Sequence, residues 1–280
     1  MSHELIMMAL EEDIGEGDVT SEYFISEERK AVAFVTVRNE GVVSGVKLAK
    51  SVFLEVDPNL EVHLMLEDGS RVSAGAMLIR VEGSARSILT AERTALNFLQ
   101  RLSGIATMTS RYVNLVKHTS AKILDTRKTT PGYRALEKKA VVDGGGTNHR
   151  MGLYDRAMVK DNHLAAEGGI VGLQEAILRV KKERPHVQVE LEADRLDQVS
   201  QFLGLEGVDY ILLDNMSLED LREAVEMRGE KYRIRLEASG GVNLDTVVGV
   251  AETGVDFISV GALTHSAPSL DIGLDFPLGE

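Results

Sequence analysis

The 280-residue chain contains no cysteine, which excludes disulfides and thiolate metal sites. It has no uncharged apolar run near the ~20 residues that a membrane-spanning helix needs. No stretch rich in proline or serine marks a linker, and no histidine spacing suits zinc. The opening segment MSHELIMMALEEDIG has an apolar stripe but acidic flanks and no cleavage signature. It predicts a helix with Ser2 as N-cap, not a secretory leader. Positive charge is scarce as well: 31 Lys+Arg stand against 44 Asp+Glu, a net charge of -13. That balance argues against a nucleic-acid surface, which needs basic residues spread over a broad face. These absences predict a soluble, cytoplasmic protein with no nucleic-acid or membrane partner.

The cations that are present gather in one place. Lys122–His163 holds Arg127, Lys128, Arg134, Lys138, Lys139, His149, Arg150, Arg156, Lys160 and His163, together with Gly144-Gly145-Gly146. A local surplus of base in an acidic chain points to a pocket for a small, multiply anionic ligand.

Hydrophobic residues make up 44% of the chain, ample for a barrel-sized core or for a barrel plus a smaller domain. In the first half, Ala31–Arg38, Leu60–Leu66 and Met77–Val81 have strand character. Val46–Val56 suits a helix that stops before Asp57-Pro58. A long helical pattern runs from Arg86 to about Thr119, with Gly104 expected to break or bend it. Glu67–Gly83 has the glycine and valine spacing of a biotinyl-like hammerhead. A carrier needs a modifiable lysine at its tip, and none occurs between Lys50 and Lys117, so only the topology survives.

After Ala121 the rhythm changes to short apolar runs that each close on a polar residue or glycine. They end at Asp125, Lys160, Glu192, Asp214, Glu237 and Gly261, with amphipathic stretches between them. About six strand-plus-helix units fit a parallel sheet in an incomplete or open barrel. Charged residues at the carboxyl ends of successive strands are where such a fold places its site.

Three glycine clusters could hold phosphate or could simply make turns: Gly144-Gly145-Gly146, Ser239-Gly240-Gly241 and Gly261-Ala262. The last two follow late strands, the usual phosphate position in a barrel. Lys160 could form a Schiff base, act as a plain cation, or lie solvated at a strand end. Convergence of Arg127, Lys128, His149, Arg150 and Lys160 would demand an anionic ligand to offset their repulsion. Glu192, Asp214 and Glu237 could bind Mg²⁺ or ribose hydroxyls, or could pair with the cations.

Longer motifs carry a resemblance. They are EEDIGEGDVTS (Glu11–Ser21), AERTALNFLQRLSGIAT (Ala91–Thr107), DTRKTTPGYRALEK (Asp125–Lys138), GGGTNHRMGL (Gly144–Leu153), VKDNH (Val159–His163), ELEAD (Glu190–Asp194), ILLDN (Ile211–Asn215), LEASGGV (Leu236–Val242) and VGALTHS (Val260–Ser266). Almost end to end, the chain resembles quinolinate phosphoribosyltransferases. The resemblance implies a hammerhead-like amino-terminal α/β sandwich (1–108, with 267–280 returning to it) and an open seven-stranded α/β barrel (109–266). It implies a homodimer in which Arg93 reaches the neighbouring subunit's site. The implied reaction joins quinolinate to phosphoribosyl pyrophosphate (PRPP), giving nicotinate mononucleotide, pyrophosphate and CO₂. By resemblance, Arg93, Arg127, His149, Arg150 and Lys160 hold quinolinate, and Lys128 lies between the substrates. Glu192 and Asp214 contact ribose and Mg²⁺, while Ser239, Gly240, Gly241, Gly261, Ala262 and His265 cradle the 5-phosphate. Lys128, Lys160, Glu192 and Asp214 are the expected catalytic residues.

One position departs from the pattern: Lys139 stands where the family commonly has an aromatic. Three rivals remain from the residues and the resemblance. They are a Schiff-base aldolase using Lys160, a phosphoribosyl-ligand sensor without turnover, and the related molybdenum-transport-associated paralogue. The intact TRKT and NHR motifs argue against the last.

Overall fold

The computed structural model describes residues 2–160 and 169–277; His163 therefore lies outside the described residues. The chain divides into two compact units. The first comprises residues 1–110, 130–145 and 266–280, and the second 111–129 and 146–265. Thr130–Gly145 thus belongs to the first unit, whereas the sequence reading placed it in the barrel.

The first unit is built on a four-stranded antiparallel sheet in the order β12-β1-β5-β3, from β1 (Lys30–Val37), β3 (Glu61–Leu64), β5 (Met77–Ser84) and β12 (Ile272–Asp275). The carboxyl-terminal return is explicit: Phe34 pairs with Asp275 and Val37 with Ile272. β2 (Gly41–Val42) and β4 (Arg71–Val72) form a separate pair. The helices of this unit are α1 (Ser2–Ile14), α2 (Val19–Phe24), α3 (Val46–Val56), the long α4 (Ala85–Val116) and α5 (Arg134–Asp143). α1 begins at Ser2 itself, so Ser2 is its first residue and not the residue before it. α3 buries Val46, Ala49, Val52 and Phe53, the 3–4 spacing that puts one face on the core. Its first turn is closed from a distance, because Asp68 Oδ1 accepts the N–H groups of Gly45 and Val46 at 2.7 and 2.9 Å.

α4 corrects one expectation. Gly104 does not break the helix, which is continuous from Ala85 to Val116. The glycine serves close approach instead, since a Cβ there would lie 2.1 Å from the Pro268 carbonyl oxygen. Gly104→Val should therefore destabilise the fold by about 3 kcal/mol, the upper end for over-packing a tight core. A denaturant midpoint unchanged from wild type would refute that account. The division between the two units falls inside α4, between Ser110 and Arg111.

The second unit is a six-stranded parallel sheet in the order β6-β11-β10-β9-β8-β7. Its strands are β6 (Lys122–Leu124), β7 (Arg156–Val159), β8 (Gln188–Ala193), β9 (Tyr210–Asp214), β10 (Arg235–Ser239) and β11 (Phe257–Ser259). A single parallel bridge, Leu124 to Thr147, extends it beyond β6. The helices between are α6 (Ile170–Glu183), α7 (Leu196–Leu203), α8 (Leu218–Arg228), α9 (Val247–Ala251) and α10 (Ala262–His265). Among the described residues no helix is long and apolar enough to cross a membrane.

A repeated tripeptide sets the strand starts in this unit. Gly207-Val208-Asp209 precedes Tyr210, and Gly254-Val255-Asp256 precedes Phe257. Asp209 Oδ2 accepts the Val189 N–H at 2.6 Å and pairs with Lys181 of α6 at 2.5 Å. Asp256 Oδ2 accepts the Leu236 N–H at 2.8 Å and pairs with Arg228 of α8 at 3.2 Å. Each aspartate satisfies an amide of the neighbouring strand and ties down the end of a preceding helix, so strand register and helix docking are fixed together.

Candidate active site

Side chains of a strand alternate between faces, and this period sorts the second unit's inward residues into levels. On β10 they are Arg235, Glu237 and Ser239; on β9, Tyr210, Leu212 and Asp214; on β8, Gln188, Glu190 and Glu192. The lowest level is aromatic and cationic. The Arg156 guanidinium lies 4.2 Å from the Tyr210 ring centroid and that of Arg235 lies 5.5 Å from it. At the carboxyl ends the strands surround a cavity of about 780 Å³.

This cavity gathers the cations read from the sequence. Arg127, Lys128, His149, Arg150 and Lys160 all line it, as do Glu192, Asp214, Ser239, Gly240, Gly241, Gly261, Ala262 and His265. Arg93 does not; it is exposed on α4 in the first unit. Lys138 is fully buried within α5. Lys139 makes ion pairs with Asp68 at 3.0 Å and Asp143 at 2.7 Å, so its departure from the family pattern has a structural use away from the cavity. Gly144 is likewise structural, because a Cβ there would stand 2.4 Å from the Ala106 carbonyl oxygen. Of the three glycine clusters, the two after late strands reach the cavity and the GGG run does not.

Local structure explains why the cationic loops hold their shape. Asp125, fully buried after β6, accepts the His149 N–H at 2.8 Å, which ties the NHR segment to the TRK segment. The Lys128 carbonyl accepts from the Thr264 hydroxyl at 2.8 Å, which joins that loop to α10. Lys160 Nζ is ion-paired with Glu192 Oε2 at 2.7 Å, the arrangement of an ammonium group and not of a free nucleophilic amine. Ser239-Gly240-Gly241 turns through left-handed backbone, with φ of 97° at Gly240 and 62° at Gly241. A Cβ on Gly240 would lie 2.1 Å from Asn215 Oδ1. Asn215 itself has φ 54° and donates to Asp214 Oδ2 at 2.9 Å.

Glu237 corrects a second expectation. It does not end a strand at the rim; it sits mid-strand in β10, fully buried by its neighbours, and lines the cavity beside His149. His149 Nε2 is 3.2 Å from Glu190 Oε2 and 3.4 Å from Glu237 Oε2. The two carboxylates are held apart electrostatically. Burial raises Glu237 above the usual carboxylate range, reinforced by the charge of Glu190. Burial opposes ionisation of Glu190 too, but hydrogen bonding and charge from His149 and the charge of Arg156 keep it low.

His149 Nδ1 faces the Arg150 N–H at 2.7 Å, which only a neutral ring can accept. Burial also favours the neutral ring, yet the hydrogen bonds and charges of the two glutamates outweigh it and push the pKa up to about 9. The Arg150 peptide thus favours a ring unprotonated at Nδ1, while the two buried carboxyl groups favour protonation. Arg150 is lowered by burial and then by repulsion from Arg127.

The ligand atoms of His149, Glu190 and Glu237 lie within 4.8 Å of one another, a grouping that could enclose a cation. The protein already supplies one there: Arg156 Nη1 is 3.4 Å from Glu190 Oε2 and 4.0 Å from Glu237 Oε2. The rim carboxylates Glu192 and Asp214 differ in kind. They are hard oxygen donors on adjacent strands beside the cationic wall, a donor set that suits Mg²⁺.

Comparison with known proteins decides the family. Residues 18–103 match the quinolinate phosphoribosyl transferase N-terminal domain, and residues 105–275 match its C-terminal domain. The chain belongs to the quinolinate phosphoribosyl transferase family. It is 43% identical over 98% of its length to the nicotinate-nucleotide pyrophosphorylase [carboxylating] of Mycobacterium leprae (strain TN), covering 96% of that protein. It is also 43% identical over 96% of its length to the chloroplastic protein of that name from Oryza sativa subsp. japonica, covering 76% of it. The solved nicotinate-nucleotide pyrophosphorylase from Francisella tularensis superposes with a TM-score of 0.91 at 39% identity, covering 98% of this chain and 95% of that one. Within this quinolinate phosphoribosyl transferase fold, sequence reasoning missed Asp125, Asn215 and the buried role of Glu190. Counting every second residue back from Glu192 would have placed Glu190 on the same inward face.

Proposed function

We propose that the protein transfers the phosphoribosyl group of PRPP to quinolinate with decarboxylation, giving nicotinate mononucleotide, pyrophosphate and CO₂, a step of NAD biosynthesis. The observation that carries this reading is one cavity holding five cations, two rim carboxylates and two glycine loops after late strands. Those groups match a dicarboxylate acceptor, a ribose and a phosphate in number and sign. In this reading Arg127, His149, Arg150 and Lys160 draw in quinolinate, with Arg93 added from a second chain of a homodimer. Lys128 lies between the substrates. Ser239, Gly240, Gly241, Gly261, Ala262 and His265 receive the 5-phosphate.

The carbon–oxygen bond to pyrophosphate breaks as the pyridine nitrogen bonds the anomeric carbon. Glu192 and Asp214 stabilise the positive charge that develops on the ribose. These two carboxylates would also hold Mg²⁺, which when bound neutralises the leaving pyrophosphate. The alkylated nitrogen then accepts the electron density released when the bond to the 2-carboxylate breaks, and water supplies the proton that replaces CO₂. Lys160 and the arginines position the ring throughout, with no covalent intermediate on the protein. Residence in the cytoplasm belongs to the same reading.

The test is pyrophosphate and CO₂ release with PRPP and quinolinate, run beside nicotinate as acceptor. Turnover is expected with quinolinate alone; release with nicotinate but not quinolinate would sink the assignment.

A further inference from the structure

Where β9 leaves the sheet, one residue stands between the two groups read as receiving PRPP. Asn215 follows Asp214 directly, and its backbone N–H donates to the Ser239 carbonyl at 2.8 Å. The pairing of β9 with β10 is thereby carried one residue past the strand, and there the chain turns. Among the described residues Asn215 is the only non-glycine with positive φ, at 54°. Left-handed backbone crowds a Cβ, and glycine adopts it most readily. A side chain kept in such a conformation at a site points to a use for that side chain. Asparagine tolerates the region better than most residues, so its contacts decide.

The Asn215 amide touches both neighbours. Nδ2 donates to Asp214 Oδ2 at 2.9 Å, which fixes the orientation of the amide because a carboxylate can only accept. Oδ1 then occupies the space over Gly240, where a Cβ would lie 2.1 Å from Oδ1 and 2.5 Å from Cγ. Gly241 differs, since nothing lies within 4 Å of a Cβ placed there. Gly240 admits the Asn215 amide, and Gly241 leaves its side of the loop open. Asp214, Asn215, Ser239, Gly240 and Gly241 all line the cavity.

We propose that Asn215 is a positioning residue for the phosphoribosyl donor. Its amide sets the Asp214 carboxylate against the Ser239-Gly240-Gly241 loop, so that ribose hydroxyls and 5-phosphate are received at one fixed spacing. The inference rests on the PRPP reading for its substrate and deepens it. In PRPP a short ribose frame joins the hydroxyls to the 5-phosphate, so groups that recognise both have to stand at a matching distance. Without the amide, Asp214 loses a hydrogen bond and Gly240 loses the packing that confines it. The acceptor cations stand on other elements, with Arg127 after β6, Arg150 before β7 and Lys160 after it.

The experiment uses Asn215→Gly, which removes the amide while easing the left-handed backbone. With Mg²⁺ saturating, the KM for PRPP should rise about tenfold, the order expected on losing one hydrogen bond to a charged group. The KM for quinolinate should stay within about twofold, because the acceptor cations share no partner with Asn215. A residue needed only for its backbone shape would leave both constants unchanged in the Gly variant, and that result would overturn the proposal. So would a rise of both constants together, the mark of a general structural role. Should the Gly variant fail to fold, Asn215→Ala, which keeps a Cβ but not the amide, is read by the same two constants.

Ligand-free crystal structures of the wild type and the variant give a readout independent of turnover. The Asp214 carboxylate is expected to turn from its wild-type direction and the Gly240 α-carbon to shift. If both stay in place, the amide holds neither and the proposal fails. Absence of any turnover of quinolinate with PRPP by the wild type would defeat the functional reading instead, and the two crystal structures would still decide whether Asn215 sets these groups.

Discussion

Lys160→Ala is expected to lower turnover with quinolinate and PRPP by about 10²–10³-fold, the usual loss when one preorganised charge is removed from a site. The expectation rests on position. Lys160 follows β7 directly, its Nζ meets Glu192 at 2.7 Å, and it lines the same cavity as Arg127 and Arg150. Removing it takes one charge from the acceptor wall and leaves Glu192 without its counterion. Borohydride reduction in the presence of either substrate should trap no adduct, because an ion-paired ammonium is not the nucleophile of a Schiff base. Mass spectrometry of the treated protein checks this. An adduct on Lys160 would revive the aldolase reading; full activity in the variant would remove Lys160 from the site altogether.

The second large effect concerns Arg93. It is exposed on α4 and lies outside the cavity-lining set, although the family resemblance assigns it to the acceptor. If a partner chain supplies it, Arg93→Ala and Lys160→Ala should each be nearly inactive alone. Co-refolded in equal amounts they should recover about a quarter of wild-type activity, since half the dimers are mixed and each mixed dimer has one intact site. No recovery, with dimers confirmed by light scattering, would confine Arg93 to its own chain or to no catalytic role.

Much of this was readable in the chain because strand ends advertise themselves. Asp125, Lys160, Glu192, Asp214 and Gly261 each follow or close an apolar run, and all but Asp125, buried just behind the NHR segment, line the cavity. Cation density did less well as a guide. Lys138 and Lys139 share the basic segment but belong to α5 in the first unit, where burial and Asp68 account for them. Local sequence could not separate them from Lys128, because membership of a unit is decided by long-range packing. Glycines misled for the same reason. Gly104 and Gly144 look like a breaker and a loop, yet each is required by a carbonyl oxygen from elsewhere in the first unit. Glu237 looked like a rim carboxylate because the apolar run stops at it, whereas the strand continues through Ser239.

The contact of Gly240 with Asn215 has a bearing on redesign. Any side chain at position 240 would displace Asn215, and Asn215 holds Asp214 through its amide. The phosphate loop and the ribose-facing carboxylate are therefore one mechanical part: an engineer cannot retune donor recognition at either without disturbing the other. The acceptor side is coupled in its own way, because Asp125 ties the segment carrying Arg150 to the one carrying Arg127, so a change of acceptor has to treat those two arginines together.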